Sequence, residues 1–256
     1  LDPLATGVLV LCLGSATRLV EYVQLMSKAY RTDLLLGARS DTDDADGTIT
    51  PVADATADDA ATVAARVAEF VGAIEQTPPV FSAAKVTGRR AYDLARRGEE
   101  VTLRPRPVVI HAINVLRYEY PHLELEVHCG KGTYIRSLAR DLGARLGCGA
   151  LVRTLRRTRV GPFTADAALT LDADAETARE RLLPIEMAVA ELPRLVLPEN
   201  DLKYLCNGQS VAVAQTPTGT EKTGEVAVFD AAYRLVAVVV LDPERKRLRP
   251  VKVLRV

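Results

Sequence analysis

Long apolar runs are missing from this 256-residue sequence. The longest, VLVLCL at 8–13 and LVAVVVL at 235–241, fall well short of the roughly 18 residues that a membrane helix requires, so no membrane span is expected. Nor does the chain open on a basic start followed by an apolar core, and a cytoplasmic protein is expected. The four cysteines, Cys12, Cys129, Cys148 and Cys206, include no CxxC pair, and the three histidines, His111, His122 and His128, are just as dispersed. Neither a disulfide framework nor a zinc site is indicated. GxSxG, HExxH, P-loop and dinucleotide fingerprints are absent, which removes support for hydride transfer, zinc hydrolysis and nucleoside-triphosphate chemistry. Chemistry falls to carboxylate, tyrosine and arginine.

A formal net charge of zero conceals segregation. Residues 131–159 hold eight basic side chains (Lys131, Arg136, Arg140, Arg145, Arg153, Arg156, Arg157 and Arg159) against Asp141, a local charge of +7. Residues 163–201 carry nine acids against three arginines, a local charge of −6. Such a division permits a basic face that tracks phosphates. The segment 85–106 adds Lys85, Arg89, Arg90, Arg96, Arg97, Arg104 and Arg106, with Phe81 and Tyr92 nearby; a phosphate-tracking surface is preferred there over a merely solvated basic face.

Periodicity predicts an α+β chain with a mixed, largely antiparallel central sheet flanked by helices, and a small β-rich domain behind it. GVLVLCLG reads as a buried strand, then a helix with Ser15 as N-cap and Leu19, Tyr22, Val23 and Met26 on one face. KAYRTDLLLG is a second strand. The following DTDDADG resembles a calcium loop, but Ala45, Asp46 and Val52 spoil the EF-hand register, and a solvated strand-joining turn is expected. An amphipathic helix capped near Asp58 or Asp59 runs through 63–74, with strands at VVIHAINVLRYEY and HLELEVHCG. A helix follows over GTYIRSLARDLGARLG, then a basic strand over LVRTLRRTRVGPF and an acidic helix around DAETARERLL. A catalytic domain over 1–191 and a β-rich domain over 192–256 are the expected divisions.

Asp2 stands before Pro3, whose ring biases it to an extended backbone, and beside an apolar segment. A partly desolvated carboxylate needs a cation, and KGTYIRSL offers Arg136, two residues after Tyr134. Spacing alone leaves this as one possibility: Asp-Pro also suits a plain turn, and a tyrosine suits a core.

LDPLATGVLVLCLGSATR, KAYR, GARSDTDDADG, PPVFSAAKVTGRRAYDLARRGEEV and KGTYIRSLARDLG, in that order over most of 1–160, resemble the signature segments of the bacterial TruB-type tRNA pseudouridine-55 synthases. More weakly, the last 65 or so residues resemble a PUA-type RNA-binding domain. The resemblance implies that Asp2 is the essential catalytic aspartate and that Tyr30 stacks on the extruded uracil. It makes Tyr134 a substrate-binding residue and pairs Arg136 with Asp2, while Leu155 lines the base pocket. With Arg18, Lys85 and Lys131 these form the expected site. The implied reaction detaches uracil from C1′, turns it and rejoins it through C5, with no metal or organic cofactor. The implied partner is the T-stem and T-loop of tRNA, bound by a monomer. Flipping the uridine costs a few kcal/mol, which stacking and phosphate contacts offset. A covalent ribosyl adduct and a glycal both remain open, as do Tyr30 and a water as the C5 base. The family's upstream Lys-Pro element and histidine-bearing GHTGT-like stretch have no counterpart, so the chain is expected to start within the catalytic loop.

Three other readings compete. A guide-RNA-dependent relative acting on ribosomal RNA shares the LDP and PUA features. A non-catalytic protein gripping structured RNA would use the same basic segments. An Asp2-nucleophile phosphohydrolase would want its strand ahead of the aspartate, and here the strand follows.

Overall fold

The computed structural model describes residues 2–82, 85–86, 89–92, 97, 102–212, 224–242, 244 and 246–254, with 85, 86, 89 and 90 described by backbone alone. Strands and helices are numbered in chain order below. Two units emerge: Leu1–Leu9 with Leu25–Ala168, and Val10–Gln24 with Leu169–Val256.

The first unit is built on a seven-stranded mixed sheet. β2 (Lys28–Leu36), β8 (Arg106–Glu119), β9 (His122–Cys129) and β10 (Ala150–Val160) are its long strands. They lie in the order β1-β10-β2-β9-β8-β5, where β1 is Thr6–Gly7 and β5 is Gly72–Gln76; β11 (Phe163–Thr164) pairs with β10 off this path. Only β1 runs parallel to its neighbour. In β9 the alternation of sequence becomes an alternation of faces: Leu123, Leu125, Val127 and Cys129 are buried, and the residues between them are not. They share a core with Leu34 and Leu36 of β2, Val152 and Leu155 of β10, and two helices.

Those helices are α2 (Ala60–Ala68) and α3 (Ile135–Arg145). Asp59 caps α2 as expected, its carboxylate accepting from the Ala61 and Thr62 N–H groups at 2.8 and 2.9 Å. The helix stops before the apolar pattern does. Gly72, at φ +112°, turns the chain into β5, so Ile74 is a strand residue. α3 buries Ile135, Leu138, Ala139 and Leu142 and makes its closest approach at Gly143. A Cβ there would fall 2.1 Å from the Ala150 backbone nitrogen, so the helix lies almost on the start of β10.

The GVLVLCLG segment is not a buried strand. Beyond Thr6–Gly7 the ladder continues for one bond, from the Val8 N–H to the Arg157 carbonyl, and Leu9, Leu11 and Leu13 are 61, 74 and 64% exposed. β11 explains the early stop: it occupies the edge of β10 at Arg159 and Val160, where a longer β1 would have to pair. Ser15 is not a helix cap either. A 3₁₀ turn over Gly14–Leu19 starts from Leu13 without a side-chain cap and leads into α1 (Val20–Leu25). The expected apolar face does form, with Leu19, Tyr22, Val23 and Met26 buried.

In the second unit, β12 (Arg194–Val196), β14 (Glu225–Phe229), β15 (Leu235–Asp242), β16 (Arg247–Val253) and β13 (Val211–Ala212) form a sheet in that order. Its core takes Leu202 and Leu205 from α5 (Glu199–Cys206) and Val226, Val228, Val236 and Val239 from the central strands. The acidic segment yields α4 (Ala175–Glu180), capped by Asp174 and without a buried residue. No helix among the described residues is long and apolar enough to cross a membrane.

Gly143→Ala should destabilise the chain by about 1–3 kcal/mol, because the close approach outweighs the gain in helix propensity. Urea unfolding of the two proteins checks this.

Candidate active site

The site begins with the way β1 holds Asp2. The chain turns after Asp2, whose carbonyl accepts from the Ala5 N–H at 2.9 Å, and then joins β10 with Thr6 opposite Arg156 and Gly7 opposite Arg157. Gly7 sits at φ +103°, and a Cβ would lie 2.1 Å from the Arg157 carbonyl oxygen. Only glycine allows both the backbone angle and the contact. The Asp2 loop is thereby tied to the central sheet.

Arg136 arrives from the first turn of α3. Ahead of it, Gln76 at the end of β5 is buried and grips the Tyr134 backbone at both ends. Its Oε1 accepts from the Tyr134 N–H at 2.8 Å, and its Nε2 donates to the Tyr134 carbonyl at 3.1 Å. So fixed, the helix sends Arg136 into the protein, where its side chain is only 5% exposed. A buried guanidinium is costly unless paired and hydrogen-bonded, and this one has four partners. Nη1 lies 3.2 Å from Asp44 Oδ2 and donates to the Thr42 carbonyl at 3.1 Å; Nη2 donates to the Phe81 carbonyl at 2.9 Å. Nε lies 2.8 Å from Asp2 Oδ2. Its N–H does not align with that oxygen or any other acceptor, so the contact with Asp2 is Coulombic rather than a directed hydrogen bond. Asp2 keeps a third of its side chain exposed, which leaves the carboxylate accessible from outside.

The DTDDADG segment is therefore not a solvated turn. It bends between β3 (Ala38–Ser40) and β4 (Ile49–Pro51), and its middle is pinned to β10: the Ala45 N–H donates to the Val152 carbonyl and the Val152 N–H to the Asp43 carbonyl, at 2.9 and 3.1 Å. Asp44 is buried, and its Oδ1 accepts from the Thr42 hydroxyl at 2.6 Å and the Asp46 N–H at 3.2 Å. Asp43 is mostly buried too and pairs with Arg140 at 2.9 Å. Burial pushes the Asp43 carboxyl up against the opposing pull of Arg140. Among the described residues no group of histidines, cysteines and acids is arranged to hold a metal.

Tyr30 lies half-buried on β2, packed against the same core as Leu155, Leu4 and Ala5. Burial pushes its phenol up, Cys129 adds to that, the Arg157 guanidinium pulls the other way, and the Asp2 charge adds a smaller upward push. Arg157 lies opposite Tyr30 in the β2–β10 ladder and donates through Nε to the Val8 carbonyl at 2.9 Å, so the strand of Tyr30 and the chain leaving β1 meet at this residue. Nearby, burial pushes the Cys129 thiol up to about 11, which keeps it protonated and inert. Leu155 is buried on β10, and Lys131 is exposed on the turn before α3. Arg18 falls in the second unit, where Nη1 donates to the Val253 carbonyl at 2.5 Å. Arg97, Arg104 and Arg106 are exposed, whereas Arg96 and the side chains of Lys85, Arg89 and Arg90 lie outside the described residues.

The structure thus sets Asp2 against Arg136, with Tyr30 close enough for the Asp2 charge to act on its phenol. Sequence reasoning missed Asp44 and Gln76, and named Arg157 only as one of the basic side chains of 131–159. The acid-rich loop was the signal for the first, and nothing local marks Gln76.

Comparison with known proteins points one way. Residues 1–135 match the family model described as TruB family pseudouridylate synthase (N terminal domain), and residues 136–190 match the tRNA pseudouridylate synthase B C-terminal domain. The chain is 42% identical over 248 residues to tRNA pseudouridine synthase B of Dehalococcoides mccartyi, covering 93% of this chain and 80% of the relative. With the same enzyme of Xanthomonas euvesicatoria it shares 45% identity over 237 residues, 90% of this chain and 75% of the relative. Among solved structures, a Cbf5-Nop10-Gar1 complex contains a chain that superposes with a TM-score of 0.76 at 27% identity, over 99% of this chain and 74% of that one.

Asp44→Asn removes one of the two carboxylates facing Arg136. It should destabilise the protein by about 3 kcal/mol, the low end for breaking a buried ion pair, because Asp2 still faces the cation. Chemical denaturation of the two proteins measures the difference.

Proposed function

The chain belongs to the TruB family of pseudouridylate synthases, and from that premise we propose that it converts uridine 55 in the T-loop of tRNA to pseudouridine. The class is an isomerase acting on tRNA, built as an α+β pseudouridine synthase fold with a PUA-like C-terminal region. The observation that carries the proposal is the Asp2–Arg136 contact of 2.8 Å: a reachable carboxylate held against a buried, multiply anchored guanidinium.

In the proposed mechanism the target uridine leaves its stack and meets Tyr30, with Leu155 and Tyr134 completing the walls of the base pocket. Lys131 and Lys85 contact the RNA backbone, and the domain over 192–256 adds RNA contacts to the catalytic domain over 1–191. Asp2 acts on the ribose, by attack at C1′ or by proton abstraction, as the C1′–N1 bond breaks. The uracil turns and C1′ bonds to C5, which breaks the Asp2–C1′ bond on the first route or returns the abstracted proton from Asp2 to the ribose on the second; the C5 proton then leaves to a base while N1 gains a proton, so the product is an isomer of the substrate. Arg136 holds the Asp2 carboxylate through both steps. Tyr30 enters with its phenol neutral, because burial pushes that group up. It would have to pass its proton on before serving as the C5 base, which favours water in that role and leaves the ring its stacking function. No metal or organic cofactor is assigned. The protein is proposed to act as a cytoplasmic monomer, since contacts to a tRNA arm need no symmetric partner.

Asp2→Asn keeps the shape of the side chain and removes its charge. Pseudouridine mapping in treated tRNA should show modification at position 55 with the wild type and none with the variant, while tRNA affinity stays within about threefold, a difference under 1 kcal/mol. Turnover by the variant would remove Asp2 from the mechanism.

A further inference from the structure

Arg136 and Arg140 stand four residues apart on α3 and so project from one face. Both reach the 41–46 loop. Arg136 takes Asp44, and Arg140 Nη1 takes Asp43 Oδ2 at 2.9 Å. The rest of the Arg140 guanidinium is also engaged: Nε lies 2.9 Å from Asp141 Oδ1, and Nη2 donates to the Thr77 carbonyl at 2.8 Å. That carbonyl accepts the Ser137 hydroxyl as well.

Asp43 is the unusual residue of the loop. Its φ is +62°, a left-handed conformation that a residue with a side chain holds only when its surroundings impose it. Three restraints do so here: its N–H donates to the Ser40 carbonyl, its carbonyl accepts from the Val152 N–H, and its carboxylate is clamped by Arg140. The next residue is Asp44, whose direction follows from the backbone angles of Asp43.

We propose that Asp43 and Arg140 are positioning residues: their ion pair locks the loop conformation that presents Asp44 to Arg136, and so fixes how Arg136 meets Asp2. The role rests on the isomerase reading given above. Neither residue needs to touch the substrate. Without the clamp the left-handed turn relaxes, Asp44 withdraws, and the guanidinium is left to Asp2 and two carbonyls in an altered pose. Displacements of about 1 Å at a reacting group can cost two orders of magnitude in rate, and loss of one restraint out of three should cost less.

The test uses the full chain with Asp43→Asn, Arg140→Gln and the double variant. Asparagine tolerates the left-handed region, so Asp43→Asn isolates the charge even where Arg140→Gln folds poorly. The single-turnover rate of pseudouridine formation should fall about tenfold in each single variant with tRNA affinity unchanged, and the double variant should be no slower than the slower single. Hydrogen exchange at the Ala45 and Val152 amides should accelerate in all three. Rates within twofold of wild type, a loss confined to tRNA affinity, full additivity in the double variant, or unchanged exchange at both amides would each overturn the proposal. A wild-type protein that forms no pseudouridine would instead reject the isomerase reading, and the exchange data would still decide whether the pair locks the loop.

Discussion

One buried positive charge organises this molecule. The Arg136 guanidinium is almost wholly removed from water and spreads its contacts over Asp2, Asp44 and the carbonyls of Thr42 and Phe81. Such a group is destabilising unless every side is answered, so the requirement to answer it dictates where four separate stretches of chain must go. α3 carries the charge, the β3–β4 loop brings one carboxylate, the segment after β5 brings a carbonyl, and the loop before β1 brings the other carboxylate. The energetic constraint and the chemical one are the same: the partner left partly open to solvent is the carboxylate assigned to chemistry.

The scaffold makes those approaches possible through close packing at two glycines. Gly7 lets β1 lie against Arg157, and Gly143 lets α3 lie against the start of β10. β10 is thus the shared reference. It pairs with β1, with β2 carrying Tyr30, and through Val152 with the loop carrying Asp43 and Asp44. Positions of acid, cation and aromatic ring are set relative to one strand, which is how a site drawn from residues 2, 30, 44 and 136 stays within reach of itself.

Much of this frame was legible from the chain. The alternation of β9, the capped amphipathic α2, the buried face of 19, 22, 23 and 26 and the helix after KGTY follow from periodicity alone, because the repeat of apolar residues sets which face is buried whatever distant element covers it. The GVLVLCLG segment defeated the same logic. An apolar run cannot reveal that β11, more than 150 residues later, takes the sheet edge it would have used. The acid-rich loop failed for a related reason: Asp41, Asp43, Asp44 and Asp46 look equally solvated until two arginines from a distant helix single out the middle pair. Gln76 gave no signal at all, since its function is to hold a backbone that sequence cannot show it meeting. The resemblance of the signature segments supplied Asp2, Tyr30 and Arg136, and the structure sets the first against the last.

In the proposed mechanism Arg136 works through the geometry of its fork and not merely through its charge. Arg136→Lys keeps the charge but cannot face Asp2, Asp44 and two carbonyls at once. Tritium release from C5-labelled uridine in tRNA reports the chemical step directly. Release should be at least about a hundredfold slower in the variant, a change near 2.7 kcal/mol in the barrier, with tRNA affinity unchanged. Release at the wild-type rate would contradict it.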